Sequence, residues 1–255
     1  MTLLIDLGNT RLKWAKLKAD GTLSRQRAAS HAGWQSDEFR HALAKTFKPG
    51  SDVWVVSVAA ERARARLKRA LRELSAHHVR FVESAAACAG VRNGYKDPWR
   101  LGADRWVALL GARALAPQRA VLVVDVGTAM TLDILRKDGQ HLGGVIVPGA
   151  DLMQRSLLSS TGGIRRRAGS RPAARGRTAS WQAQSTSEAI QRGAQLAAAA
   201  VIDAAHVEHR ALKPRLLLTG GGAESLQPLL KSPYEWEPDL VLQGLAQVIR
   251  SGEQG

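Results

Sequence analysis

An apolar run, Leu3-Leu4-Ile5, ends in the turn-forming cluster Asp6-Leu7-Gly8-Asn9-Thr10, which predicts a short strand over Thr2–Ile5 running into a turn. From Leu12 to Leu17 the apolar Leu12, Trp14 and Leu17 are set against the basic Arg11, Lys13 and Lys16, the mark of a strand with one covered face. Asp20-Gly21 then supplies a hairpin turn, and a third strand is expected from Thr22. Val53–Val58 reads as a buried strand leading into a basic amphipathic helix with Ala63, Leu67, Leu71 and Leu74 on one face. Further helices are expected from Gly102 to Leu115 and from Thr186 to about His209. The second of these carries Ile190, Ala194, Ala197, Val201 and Ala204 on a single face and would span roughly 35 Å. Leu216-Leu217-Leu218 is a buried strand ending at Thr219-Gly220-Gly221-Gly222, with a short helix expected after it.

The opening pattern recurs. Leu4-Ile5-Asp6-Leu7-Gly8-Asn9 and Val123-Val124-Asp125-Val126-Gly127-Thr128 match at an offset of 119 residues. The Asp-Gly turns Asp20-Gly21 and Asp138-Gly139 lie 14 residues beyond the first aspartate and 13 beyond the second. A strand–Asp–x–Gly–strand–hairpin unit occurring twice at half-chain spacing predicts an α/β protein of two duplicated lobes, residues 1–118 and 119–255, with two sheets facing a cleft.

At 255 residues, 45% of them apolar, the chain has enough material for two such lobes and their cores. No stretch approaches the roughly 18 uninterrupted apolar residues of a membrane helix. The opening Met1–Asp6 has no basic region ahead of an apolar one, so no secretory signal is expected. A single cysteine, Cys88, excludes an intrachain disulfide framework and suits a reducing, cytoplasmic setting. Lys and Arg total 37 against 22 acids, a formal charge of +15. The densest basic segment, Arg165–Arg177, is broken by Gly169, Pro172 and Gly176 and reads as a mobile loop. With no aromatic residue interleaved for stacking, it predicts salt-screened attraction of polyanions and no specific nucleic-acid partner.

Three segments could carry chemistry. Asp6-Leu7-Gly8-Asn9-Thr10 places donors and a close-approach glycine at a strand end, with Lys13 to neutralise a polyphosphate; a plain β-hairpin turn is the other reading. Thr219-Gly220-Gly221-Gly222 would let a flat base or ribose lie on backbone, or simply make a tight turn. Gly102-Ala103-Asp104-Arg105-Trp106 opens a helix: Asp104 as a dipole partner is the bland account, while Arg105 offers a fork for a carboxylate or phosphate. Tyr95 stands just upstream in a Gly-Tyr-Lys-Asp-Pro turn. Neither a Gly-x-x-x-x-Gly-Lys loop, a Gly-x-Ser-x-Gly elbow nor a His-Glu-x-x-His helix is present. His206, Glu208 and His209 read as helix surface and Cys88 as core filling.

Taken together, these segments resemble the type III pantothenate kinases of the actin-like, sugar-kinase-like ATPase superfamily, whose two lobes are ribonuclease-H-like. The resemblance implies ATP-dependent phosphorylation of pantothenate to 4'-phosphopantothenate, the first step of coenzyme A biosynthesis. Asp6, Leu7, Gly8, Asn9, Thr10, Arg11, Leu12 and Lys13 match the ATP phosphate motif, and Thr128 a further ATP contact. Gly102, Ala103, Asp104 and Arg105 match the pantothenate segment, with Asp104 the implied catalytic base; Tyr95 and Thr186 match further substrate positions. Asp125 is the implied holder of a monovalent cation, K⁺ or NH₄⁺, and Mg²⁺ is expected with ATP. Gly143–Gly149 matches the family's glycine-flanked strand. A homodimer is implied as well, and the Ala-rich helix from Thr186 could lie at its interface or inside a lobe. The alternative is an accessory or regulatory protein of the same fold, using the arginine segment to bind nucleic acid or an acidic partner.

Overall fold

The computed structural model describes residues 2–168 and 181–252. Two compact units are found. The first comprises Met1–Gln118, Lys137–Gly143 and Asp239–Gly255, the second Arg119–Arg136 and Gly144–Pro238. Besides the first 118 residues, the first unit takes in the short return at 137–143 and the C-terminal segment.

In the first unit the alternating opening segments pair as antiparallel strands β1 (Thr2–Leu7) and β2 (Arg11–Leu17), in register from Thr2↔Leu17 to Leu7↔Leu12. The third strand, β3 (Arg27–Ser30), begins five residues later than expected. Asp20 is the physical reason: its Oδ1 accepts from both the amide and the hydroxyl of Thr22 (2.8 and 2.7 Å), which holds the turn, while the Ser24 hydroxyl takes the Lys16 amide. Helix α1 (Ser36–Ala44) starts at a reciprocal Gln35–Glu38 capping box and buries Phe39 and Leu43. Next come β4 (Asp52–Ser57), α2 (Glu61–Glu73) and β5 (Val79–Val82), a parallel crossover that completes the sheet in the order β3-β2-β1-β4-β5. Leu3, Ile5, Leu7, Leu12 and Trp14 pack with Phe39, Leu43, Leu67 and Leu71 as one core, so α2 buries the face read from its periodicity.

A small hairpin, β6 (Ala87–Cys88) with β7 (Val91–Arg92), precedes helix α3 (Ala103–Leu115). The second sheet is built on β8 (Val121–Val126), β9 (Ala129–Leu135) and β10 (His141–Pro148). Helices α4 (Ala150–Ser160), α5 (Gly162–Ala168) and α6 (Thr186–Glu208) follow, then β11 (Arg215–Thr219), β12 (Glu235–Trp236) and α7 (Leu240–Ser251). The second sheet runs β10-β9-β8-β11-β12, the counterpart of the first in order, with β8 antiparallel to β9 and parallel to β11, and β11 parallel to β12. Helix α7 belongs to the first unit and lies against α3 so closely that a Cβ on Gly244 would sit 1.8 Å from the Val107 carbonyl oxygen.

Three further expectations are corrected in the second unit. The buried stripe of α6 follows Ile190, Ala194, Ala198 and Ile202; Ala197 and Ala204 are exposed and Val201 only partly covered, because the bulky Ile202 turns toward the core with Leu122, Val124 and Leu216. No α-helix follows Thr219-Gly220-Gly221-Gly222: the chain makes 3₁₀ turns at Ala223–Ser225 and Gln227–Leu229, the second with Pro228 in its first turn. Arg165–Arg167 are not in a loop but close α5, where their charges suit a helix C-terminus. The rest of the segment, Ser170 to Arg177 with Gly169, lies outside the described residues.

Candidate functional site

The candidate residues fall into two sets, one in each unit. In the first, Asp6 is buried near the end of β1 and the antiparallel register places Lys13 directly across from it, with Nζ 3.9 Å from Oδ2. The turn between them is closed by the Gly8 amide donating to the Arg11 carbonyl (3.0 Å), leaving Asn9, Thr10 and Arg11 exposed. Leu7 and Leu12 point their side chains into the core, so only their main chain is available to a ligand. A residue the sequence did not single out braces this turn. His31 is buried, its Nε2 sits 2.7 Å from the Gly8 carbonyl oxygen, and its amide donates to the Thr10 carbonyl (3.1 Å). Asp239, just before α7, is a second addition: burial pushes its carboxyl pKa up, and the neighbouring Lys13 ammonium only partly offsets this.

Asp104 and Arg105 occupy the first turn of α3. The Asp104 carboxylate accepts from the Arg105 amide at 2.8 Å, satisfying one of the helix's open donors. Arg105 itself is buried and donates from Nη1 to the Tyr95 hydroxyl (2.8 Å), its guanidinium carbon 5.6 Å from the tyrosine ring centroid. Tyr95 in turn lies nearly parallel to the fully buried His141, at 6.1 Å and 15°. Its turn is held by Asn93, which accepts from the Tyr95 amide and donates to the Ala85 and Pro98 carbonyls. Tyr95, Asp104 and Arg105 therefore stand together, with Gly102 and Ala103 as the cap and first residue of the helix. His141 was invisible in the sequence because it reaches this group through the 137–143 return.

In the second unit Asp125, the penultimate residue of β8, stands between two threonines: Thr131 opposite on β9 and Thr219 alongside on β11. Thr128 follows in a tight turn, where the Gly127 amide donates to the Ala129 carbonyl (3.1 Å) and the Gly149 amide to the Thr128 carbonyl (2.9 Å). Gly220, at φ +94°, presses on this turn: a Cβ there would lie 2.3 Å from Asp125 Oδ1 and 2.4 Å from the Val126 carbonyl oxygen. The triple glycine thus has a packing partner that local sequence could not name. The hydroxyl of Thr219 is fully buried without a hydrogen-bond partner. Thr186 is the first residue of α6, preceded by Ser185, whose hydroxyl accepts from the Glu188 amide. His206 and His209 each spend a ring nitrogen on a main-chain carbonyl near the helix end.

A family profile described as type III pantothenate kinase matches residues 2–208. A protein of Thiobacillus denitrificans named type III pantothenate kinase is 38% identical over 258 residues, spanning 99% of this chain and 98% of that protein. One of Xanthomonas campestris pv. campestris with the same name is 41% identical over 249 residues, covering 95% of each. Among solved structures, a Sinorhizobium meliloti protein carrying the name 2-dehydro-3-deoxygalactonokinase superposes with a TM-score of 0.61 at 15% identity, over 98% of both chains. The activator of 2-hydroxyisocaproyl-CoA dehydratase from Clostridium difficile does so with a TM-score of 0.53 at 14% identity, covering 98% of this chain and 93% of that one. At such identities the likeness is one of fold, and it is the α/β fold with two mixed sheets expected from the internal repeat.

Proposed function

Because the chain belongs to the type III pantothenate kinase family, we propose that it transfers the γ-phosphoryl group of ATP to the primary hydroxyl of pantothenate, yielding 4'-phosphopantothenate. The observation that carries this reading in the site itself is the pairing of buried Arg105 with Tyr95 beside Asp104. A guanidinium held this way is a ready partner for the substrate carboxylate, and an adjacent carboxylate can take the proton of the attacking hydroxyl. Asp104 would hold that proton as the oxygen attacks phosphorus in line. The family motifs also assign Tyr95, Gly102, Ala103 and Thr186 to pantothenate. The Asp6–Lys13 turn and Thr128 would bind the ATP phosphates through main-chain amides, hydroxyls and the Lys13 ammonium.

Mg²⁺ bound with ATP supplies charge neutralisation on the transferring phosphoryl group. The residues around Asp125 fit a monovalent cation. The set is carboxylate and hydroxyl oxygen, both register neighbours are threonines, and the unpartnered Thr219 hydroxyl lies in the adjacent strand. The reading of an accessory protein is not favoured, since the chain keeps Asp6, Lys13, Asp104 and Asp125 together. ATP consumption should depend on added pantothenate; consumption that ignores it would overturn the assignment.

The homodimer finds its support in β10, an edge strand whose Val145 and Ile146 are 52% and 60% exposed. Leu152 and Leu157 of the following α4 are exposed too. A second copy would cover this apolar surface, whereas the α6 stripe is used inside its own unit. Light scattering at micromolar concentration should give twice the chain mass. A cytoplasmic location fits the single cysteine, which is buried, and among the described residues no helix is long and apolar enough to cross a membrane.

A further inference from the structure

At the opposite end of β4 from the Asp6 turn, the first sheet carries a cluster with a different chemistry. Asp52 opens β4 and pairs in register with Thr2, whereas Asp6 pairs with Val56, four residues or about 13 Å further along the strand. Next to Asp52 stand His77 and His78, in the connection between α2 and β5. Their Nδ1 atoms lie 3.3 and 3.2 Å from one carboxylate oxygen, Asp52 Oδ1, and the rings meet edge to face at 3.8 Å. The three ligand atoms all fall within 4.8 Å of one another.

The backbone sets this convergence before any ion arrives. The His77 amide donates to the Ser51 carbonyl (3.0 Å) and the Val53 amide to the His78 carbonyl (2.8 Å), so main-chain bonds on both sides of Asp52 fix the two histidines. Ser75, in the left-handed region at φ 59°, turns the chain out of α2 towards them. A tetrahedral ion bound at about 2.0–2.1 Å keeps its ligand atoms roughly 3.3 Å apart, which matches both nitrogen–oxygen separations. Two imidazoles and one carboxylate favour zinc, copper, nickel or cobalt over magnesium or calcium.

We propose that Asp52, His77 and His78 form a three-ligand surface site for a divalent transition-metal ion of the zinc class, which ties β4 to the α2–β5 connection and leaves one coordination position to solvent. The site is independent of the kinase assignment and stabilises the first unit.

The test uses the full chain without a polyhistidine tag. Titration calorimetry with Zn²⁺ should give one equivalent bound. Co²⁺ should produce the visible absorption of a tetrahedral nitrogen–oxygen site. The double variant His77→Ala/His78→Ala should bind at least about 10-fold more weakly, since even outer partners of a metal site are worth about that much. Asp52→Asn should weaken binding too, while Cys88→Ser should bind as the parent does. Zn²⁺ should raise the melting temperature of the parent and not of the double variant, and pantothenate-dependent ATP consumption should be the same in both. Equal Zn²⁺ binding by parent and double variant would place the ion elsewhere and overturn the proposal. So would an absence of binding up to about 100 µM Zn²⁺, where a site of useful affinity is filled.

Discussion

The two aspartate turns are copies of one backbone unit that differ by a single residue. In the first unit, four residues from Gly8 to Arg11 link Leu7 to its partner Leu12; in the second, three residues from Gly127 to Ala129 link Val126 to Met130. This is where the spacings of 14 and 13 residues between each aspartate and its Asp-Gly turn diverge. The consequence is electrostatic. The longer turn sets Lys13 opposite Asp6, so a cation is part of the fold, while the shorter one sets Thr131 opposite Asp125. Duplicated strands can keep their sheet order and still give their carboxylates different work, because charge at a strand end depends on what the register places across from it.

Four measurements would sharpen or break that contrast. The largest effect is expected at the proposed base of the first unit: Asp104→Asn should lower turnover at least about 100-fold, the low end of a general base's contribution, with ATP and pantothenate still bound. Near-normal turnover would remove Asp104 from the role.

Lys13→Met comes next and separates the two turns. It should lower kcat/KM for ATP about 10- to 100-fold, the worth of a charged contact of about 1.5–3 kcal/mol, while leaving the preference for K⁺ over Na⁺ at constant ionic strength unchanged. If the parent runs equally well in either salt, the second turn does not use a monovalent cation.

Gly220→Ala tests the packing of the second turn. The left-handed backbone and the 2.3 Å approach to Asp125 Oδ1 should together cost about 1–3 kcal/mol in denaturant unfolding. Gly33→Ala, at φ +80° with nothing within 4 Å, should cost less. Equal losses would mean that backbone conformation alone matters at both sites.

The smallest effect is a pH dependence. A hydrogen bond from Arg215 holds the Glu235 carboxyl below its ordinary value of 4.5, so the pair contributes stability that is present above that value and is lost as pH falls through the lower, folded one. Solvent screening keeps this below about 1 kcal/mol. Glu235→Gln should therefore melt slightly below the parent at pH 7 and level with it in strong acid. A gap that widens on acidification would contradict the sign.

What the sequence determined alone was what repeats locally. Period-two strands, the buried face of α2 and the strand–Asp–x–Gly unit written twice were legible because side-chain direction follows residue spacing within one element. The family motifs also gathered Tyr95, Asp104 and Arg105, which the structure brings together. Tertiary structure decided the rest. It moved 137–143 and α7 into the first unit, and thereby brought His141 to Tyr95 and Asp239 to Lys13. It also set His31 beneath the Gly8 turn and the triple glycine against Asp125. None of these partners lies within one element's period of the residue it meets, and only closure of the chain, which a local pattern does not encode, puts them in reach.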